Sequence, residues 1–307
     1  MNTETFQSIN ESISVHCYIT ALSWQPLLGN SYYHEESTLA TGYSDGSLIL
    51  FKPTNLRSGY SIQGTKKFRA HQGAVTSVHW SRDGSSILSS GEDGEVKVWS
   101  KTGHLRSTLG CFGVSVNCTS WHVDNYTVVV AYGSFLSVHH IQTIEETIEW
   151  KVTGDKETQT IVLSVDWSHQ SNLIVCGGED GNCRMFDSRG VAQGVYSLSS
   201  FPITKVVWIP NGDIFVIGSF DSISLCNKHG DIVNQINLGI KSSVMDITCK
   251  DDSSQLYASC SSGVILVGHI AGKVIEYNGI VAEQIDSNQI RLDFTKNASS
   301  EIVQLQK

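Results

Sequence analysis

The sequence predicts an all-β fold, a β-propeller of four-stranded blades, and three observations carry that expectation. The stretch Ser90–Leu109, SGEDGEVKVWSKTGHLRSTL, joins alternating apolar and polar runs through tight-turn residues at Glu92-Asp93-Gly94 and Lys101-Thr102-Gly103. Asp bonds the backbone ahead of it and Gly accepts positive φ, so these are hairpin turns. A strand that ends on an aromatic anchor returns at Trp24, Trp80, Trp121, Trp167 and Trp208, with Cys249 in the last copy, at intervals of 56, 41, 46, 41 and 41 residues. Finally, the register holds over long distances: Gly91 and Gly178, Trp80 and Trp167, Trp99 and Phe186, and Gly103 and Gly190 all lie 87 residues apart. One small antiparallel sheet cannot bury both of its faces, so such a period marks blades that cover one another.

Taken in order, residues 1–14 read as a polar arm, 15–285 as the propeller, and 286–307 as a C-terminal strand and tail. Six modules are recognisable, starting near residues 19, 74, 115, 161, 203 and 244. The first is long because Pro26–Glu36 is inserted after Ile19–Trp24, and its turn arrives as Ser44-Asp45-Gly46 before Leu48–Phe51. The second is the template, with Ala74–Trp80, Ile87–Ser90, Val96–Trp99 and a short strand toward Leu109. The third replaces the acidic turn with Tyr132-Gly133-Ser134, the fourth restores it at Glu179-Asp180-Gly181, and the fifth is one residue short before Gly218-Ser219-Phe220-Asp221. Val244–Cys249 opens the sixth, Ile290–Phe294 reads as one more strand, and Asn297–Lys307 is left open between a short helix and disorder. Insertions and altered turns in such a repeat fall on the rim, where partners bind.

The net charge of −9 and a sequence pI near 5.6 argue against a general nucleic-acid binder. No apolar run is long enough to cross a bilayer, and the polar start Met1-Asn2-Thr3-Glu4-Thr5 lacks the features of a signal peptide, so an intracellular, non-secreted chain is expected. Eight cysteines are too dilute for a disulfide scaffold. Cys118, Cys176, Cys183, Cys226, Cys249 and Cys260 sit in apolar strand runs and read as buried thiols. The Asn-x-Ser/Thr sites at Asn10, Asn117, Asn125 and Asn297 then carry no meaning, since their modification requires secretion.

No catalytic, cofactor or metal site is expected. Gly42-Tyr43-Ser44-Asp45-Gly46 matches the G-x-S-x-G pattern, but that motif needs a helix after the turn and here a strand follows. Cys111 with Cys118, and Cys176 with Cys183, are spaced too widely for zinc ligand pairs. His139 and His140 alternate faces of a strand, and Asp251-Asp252 has no further acidic ligands spaced around it for calcium. A basic cluster remains: Lys66, Lys67, Arg69, Arg82, Lys97, Lys101 and Arg106 gather around the second module of an acidic chain. Either it is a solvated blade edge, or it is a patch for an acidic protein partner.

His71, the Asp93-Gly94 turn and Val98-Trp99 together resemble the WD-repeat signature, although Ser100 follows Trp99 where the signature has Asp; Phe186-Asp187 is nearer to that form. The resemblance implies seven blades and a hydrogen-bonded brace, which here falls on His71, Ser89, Asp93 and Trp99. In the fourth module Asp180 is retained, with Thr158 where His71 aligns. A narrower resemblance rests on AHQGAV (70–75), residues 91–109, VDWSHQSNLIVCGGED (165–180) and WIPNGDIFVIGSFDSISLCNKHG (208–230). These are similar to the first propeller of the family of eighty-kilodalton subunits of the intraflagellar transport B complex. The similarity runs over most of residues 19–270. That family continues into a second propeller and a helical region, so the resemblance implies a partial or shortened relative that begins at the family's second blade. It further implies a non-catalytic scaffold of cilium assembly, located at the cilium or flagellum and its base, with transport subunits as partners. No nucleic acid, membrane insertion or small-molecule substrate is implied. The alternative is a WD-repeat adaptor of another intracellular assembly, such as a trafficking coat.

Overall fold

The computed structural model describes residues 17–26, 38–56, 59–142, 147–153, 159–210, 212–238, 243–249, 255–262, 264–269, 274–277, 280–286, 289–294 and 299–304. The arm 1–14, most of the insertion after Pro26, Thr158 and Asp251-Asp252 lie outside them. Every regular element among the described residues is a strand.

Alternation of apolar and polar residues between turn signals yields strands in groups of four. The first sheet holds β1 (Ile19–Trp24), β2 (Leu39–Tyr43), β3 (Ser47–Leu56) and β4 (Gly59–Arg69). The second holds β5 (Val75–Trp80), β6 (Ser86–Gly91), β7 (Glu95–Ser100) and β8 (Leu105–Cys111); the third holds β9 (Val116–Trp121), β10 (Thr127–Tyr132), β11 (Phe135–His140) and β12 (Ile148–Lys151). The fourth is β13 (Val162–Trp167), β14 (Leu173–Gly178), β15 (Asn182–Asp187) and β16 (Ala192–Ser197), and the fifth is β17 (Ile203–Trp208), β18 (Ile214–Ser219), β19 (Ser222–Asn227) and β20 (Ile232–Asn237). A sixth sheet has three described strands, β21 (Val244–Cys249), β22 (Gln255–Cys260) and β23 (Ile265–His269). Beyond it β24 (Val274–Tyr277), β25 (Ile280–Asp286), β26 (Gln289–Phe294) and β27 (Ser299–Gln304) make a further four-stranded sheet. The described part of the tail is therefore a strand paired with β26, not a helix.

Irregularities repeat along with the strands. The pairing of the first two strands slips by one residue at Ile19/Ala21, Val75/Ser77, Val162/Ser164, Ile203/Lys205 and Val244/Asp246, the same place in each module. A bulge conserved in position within one chain is a designed bend, re-aiming the residue that it leaves unpaired. In the fifth sheet that residue is Thr204, whose Oγ1 donates to the carbonyl oxygens of Gly218 and of Val244 in the next sheet.

The chain forms two compact units, Met1–Gly133 with His139–Thr147, and Ser134–Val138 with Ile148–Lys307. In the first unit β5 packs on β1 and β2, and β9 on β5 and β6. Its core unites Leu48 and Leu50 with Val75, Val78, Trp80 and Trp99. In the second unit β17 packs on β13 and β14, and β21 on β17 and β18. One core there centres on Val175, Met185, Ile203, Trp208 and Phe215, another on Val216, Val244 and Ile247. Burying each such side chain stabilises by about 1.5–3 kcal/mol. Close approach between sheets depends on a missing side chain: a Cβ on Gly42, Gly177 or Gly218 would lie 2.5 Å from Val75, Ile203 or Val244 respectively. Polar staples add direction across the same junctions. Trp80 N–H donates to Ser23 Oγ at 3.1 Å, and Trp208 N–H to Asp166 Oδ2 at 2.7 Å.

Candidate functional site

The four residues of the expected brace meet inside the second sheet. β6 supplies Ser89, β7 supplies Trp99, the turn between them supplies Asp93, and the segment before β5 supplies His71. His71 Nδ1 lies 2.9 Å from Asp93 Oδ1, His71 Nε2 lies 2.8 Å from Ser89 Oγ, and Trp99 Nε1 donates to the same Oγ at 2.8 Å. His71 and Ser89 are fully buried. A carboxylate accepts only, so Nδ1 carries the ring proton, Nε2 accepts from the Ser89 hydroxyl, and Ser89 oxygen accepts from the indole. This order needs a neutral imidazole. Burial pushes the His71 pKa down, and the opposing charge of Asp93 does not restore it. Asp93 also accepts from the backbone N–H of Gln72 at 2.8 Å. Burial disfavours its charge, but the Gln72 bond and His71 outweigh that and hold its carboxyl below the usual range. Gly94 closes the turn at φ 77°, and a Cβ there would stand 2.8 Å from Val114 O.

The fourth sheet fills the equivalent place differently. Arg184, on β15, is 2% exposed. Its Nη1 and Nη2 donate to the two oxygens of Asp180 at 3.1 and 2.5 Å, and its Nε donates to Thr153 O at 3.0 Å. A Cβ on Gly91 would strike the His71 ring at 2.6 Å; a Cβ on Gly178 would instead meet Asp180 Oδ1 at 2.6 Å, with Thr160 and Arg184 next to it. A guanidinium from the third strand thus stands where an imidazole stands in the second sheet. Burial raises the Asp180 pKa, but the bonds from Arg184 and Asn182 prevail and hold it at about 2. Arg184 was missed by sequence reasoning. Its signal was an arginine inside the apolar run Cys183–Met185, four residues after the turn Asp and 87 after Lys97.

The residues of the basic cluster take different partners. Lys67 pairs with Asp45 at 3.8 Å, Arg69 donates to the carbonyls of His71 and Gln72, and Lys97 is held by Glu95 at 2.5 Å and by Ala70 O at 2.9 Å. Lys67 and Arg69 lie on β4 of the first sheet beside Lys66, and Lys97 lies on β7 of the second. Arg82, Lys101 and Arg106 lie in or next to the β5–β6 and β7–β8 turns, which the Lys66 side chain also reaches. There Lys66 Nζ donates to Thr102 O at 2.7 Å and Arg106 Nη1 to Ser86 Oγ at 2.5 Å.

The family model for the WD domain, G-beta repeat matches residues 63–100 and 150–187, two stretches that contain the brace of the second sheet and the Arg184–Asp180 pair of the fourth. The chain carries WD repeats of the G-beta type in both stretches. This WD-repeat chain is 32% identical over 242 residues to the intraflagellar transport protein 80 homologs of Rattus norvegicus and Mus musculus, a match covering 78% of the chain and 30% of each relative. It is 23% identical over 250 residues to cilia- and flagella-associated protein 52 of Sus scrofa, covering 78% of the chain and 38% of that relative. It thus spans about a third of the length of these curated relatives.

The remaining candidates in this WD-repeat chain resolve into structure. Ser44 sits in the β2–β3 turn, where its N–H donates to Tyr18 O and its Oγ accepts from Tyr18 N–H, and β3 rather than a helix follows. No nucleophile elbow is built. Cys118, Cys176, Cys183, Cys226 and Cys260 are buried thiols outside any disulfide, while Cys249 is partly exposed. Burial pushes the thiols of Cys176, Cys226 and Cys249 up to about 12, so they stay neutral. His71, Asp93 and Glu95 bring ligand-type atoms within 4.8 Å of one another. Both ring nitrogens of His71 are committed to Asp93 and Ser89, and Glu95 to Lys97.

Proposed function

We propose that this protein is a non-catalytic protein-interaction scaffold, a component or partial homologue of the intraflagellar transport B particle that acts in cilium assembly. The observation that carries this reading is the 32% identity to intraflagellar transport protein 80 homologs along 78% of the chain. The geometry supports it: the ordered polar side chains of the second and fourth sheets are spent on holding turns, which leaves rigid rims for partners. Its partners are other protein subunits of that particle, with no nucleic acid, membrane insertion or small-molecule substrate. Its place is the cilium or flagellum and the ciliary base, on the cytoplasmic side.

The test is to tag the protein at its own locus in ciliated cells, image it, and identify what co-purifies. Signal at the cilium and its base, with transport subunits recovered, is the expected result. Diffuse signal without those subunits overturns the reading, and recovery of coat subunits instead moves the protein to the alternative, an adaptor of another assembly.

A further inference from the structure

We propose that one end of the second sheet is a docking site for a short acidic segment of a partner protein, anchored by an apolar side chain. The turn between β5 and β6 carries Arg82, the turn between β7 and β8 carries Lys101, and Lys101 N–H donates to Ser85 O at 3.1 Å, tying the two turns together. Lys66 reaches the same turn through its bond to Thr102 O, its side chain lying against the φ 72° residue Gly103, and Arg106 is fixed on Ser86. Among the described residues none of these four cations makes an ion pair, whereas Lys67 and Lys97 each have a carboxylate partner. Two carboxylates are near. Asp83 Oδ1 accepts from Ser81 Oγ at 2.6 Å and from Ser85 N–H at 3.0 Å, and its charge is partly offset by Arg106. Asp124, in the next turn along, is used by Thr127 and by the N–H of Tyr126.

Leu105 stands between Lys101 and Arg106 in the sequence and is 53% exposed. Cations without an ion pair on a turn that leads straight into an exposed apolar side chain fit a partner with the inverse pattern, acidic residues next to an apolar one. Phosphate polyanions fit less well. They offer nothing to Leu105, and the net charge of −9 disfavours an extended nucleic acid or an anionic bilayer that must lie against acidic surface outside the rim. The inference rests on the scaffold reading and adds a surface and a ligand chemistry to it.

A fluorescein-labelled peptide of repeated Glu-Glu-Leu serves as the probe, titrated with the full chain and followed by anisotropy. Saturable binding should weaken by about tenfold or more in Arg82→Glu/Lys101→Glu, and also on raising the salt, as for other rim charges. Leu105→Ala should weaken it at unchanged salt dependence. The melting temperature of each variant, expected to be unchanged because these side chains are exposed, controls for folding. The proposal fails if the wild type does not bind the peptide, if the charge-reversed variant binds it equally, or if polyuridylate or phosphatidylserine vesicles bind more tightly than the peptide. The scaffold reading fails separately, when no transport subunit co-purifies with the wild-type protein.

Discussion

Ser89→Ala removes the centre of the brace in the second sheet while leaving the volume of the site nearly unchanged. Ser89 Oγ holds Trp99 Nε1 and His71 Nε2, each at 2.8 Å, in a site with no solvent access to Ser89 or His71. Its loss strands one buried donor and one buried acceptor, at about 1–3 kcal/mol each, so about 3 kcal/mol of destabilisation is expected. Trp99→Phe deletes the donor together with its need for a partner, and should cost about 1 kcal/mol less than the serine change. Urea unfolding gives the total. Hydrogen exchange at the amides of β6 and β7 gives the local part, which matters because the chain has two compact units and the global transition need not be two-state. A loss below about 0.5 kcal/mol, within the range of ordinary surface substitutions, would refute the assignment of the serine as the pivot of the brace.

Two further outcomes test the equivalence of the two braces. His71→Thr should destabilise the second sheet by about 2–3 kcal/mol, and adding Lys97→Arg should recover part of it, since an arginine at that position can reach the turn Asp with two bonds; denaturation in which the double variant is no more stable than the single one would count against it. Gly178→Ala should cost about 1–3 kcal/mol, because its Cβ would stand 2.6 Å from Asp180 Oδ1 and force apart the Arg184–Asp180 pair; an unchanged melting temperature would show that the pair can shift without penalty.

The repeat was legible because turn chemistry and aromatic anchors are short-range signals that recur at a fixed offset. The strands found at Val75–Trp80, Val162–Trp167 and Ile203–Trp208 follow from that register. The sheet β24–β27 was not legible in the same way. Tyr277 ends β24 out of step with the interval of about forty residues, and Asp286 is not followed by the Gly of the other turns, leaving only the alternation at Ile290, Leu292 and Phe294 to show one of its strands. For the brace, the sequence reading named four members in the second module and only Asp180 in the fourth, where the structure supplies a partner for that carboxylate from β15. A functional group can be replaced by one from another strand, and a fixed offset cannot see that. Within the basic cluster, adjacency in sequence does not give the partner: neighbours in a strand point to opposite faces, so Lys66 reaches Thr102 while Lys67 reaches Asp45.

The two braces should also part company in acid. His71 has a pKa below its ordinary value of 6.5 in the fold, so the unfolded chain binds the proton first. Stability from the neutral imidazole is therefore complete above pH 6.5 and falls as the pH drops from there toward the folded value. Asp180 behaves in the other range: its pKa drops from 3.8 to about 2, so its contribution is complete above 3.8 and is lost only as the pH falls through about 2. Between about pH 6 and pH 4 the second sheet should lose exchange protection while the fourth sheet keeps it, because the guanidinium stays charged throughout. Amide exchange at β7 and β15 across that interval reads the difference directly, and His71→Gln should flatten the response of β7 without touching that of β15. Equal acid sensitivity in the two strands, or a β7 response that survives His71→Gln, would mean that the imidazole line is not what ties the second sheet to pH.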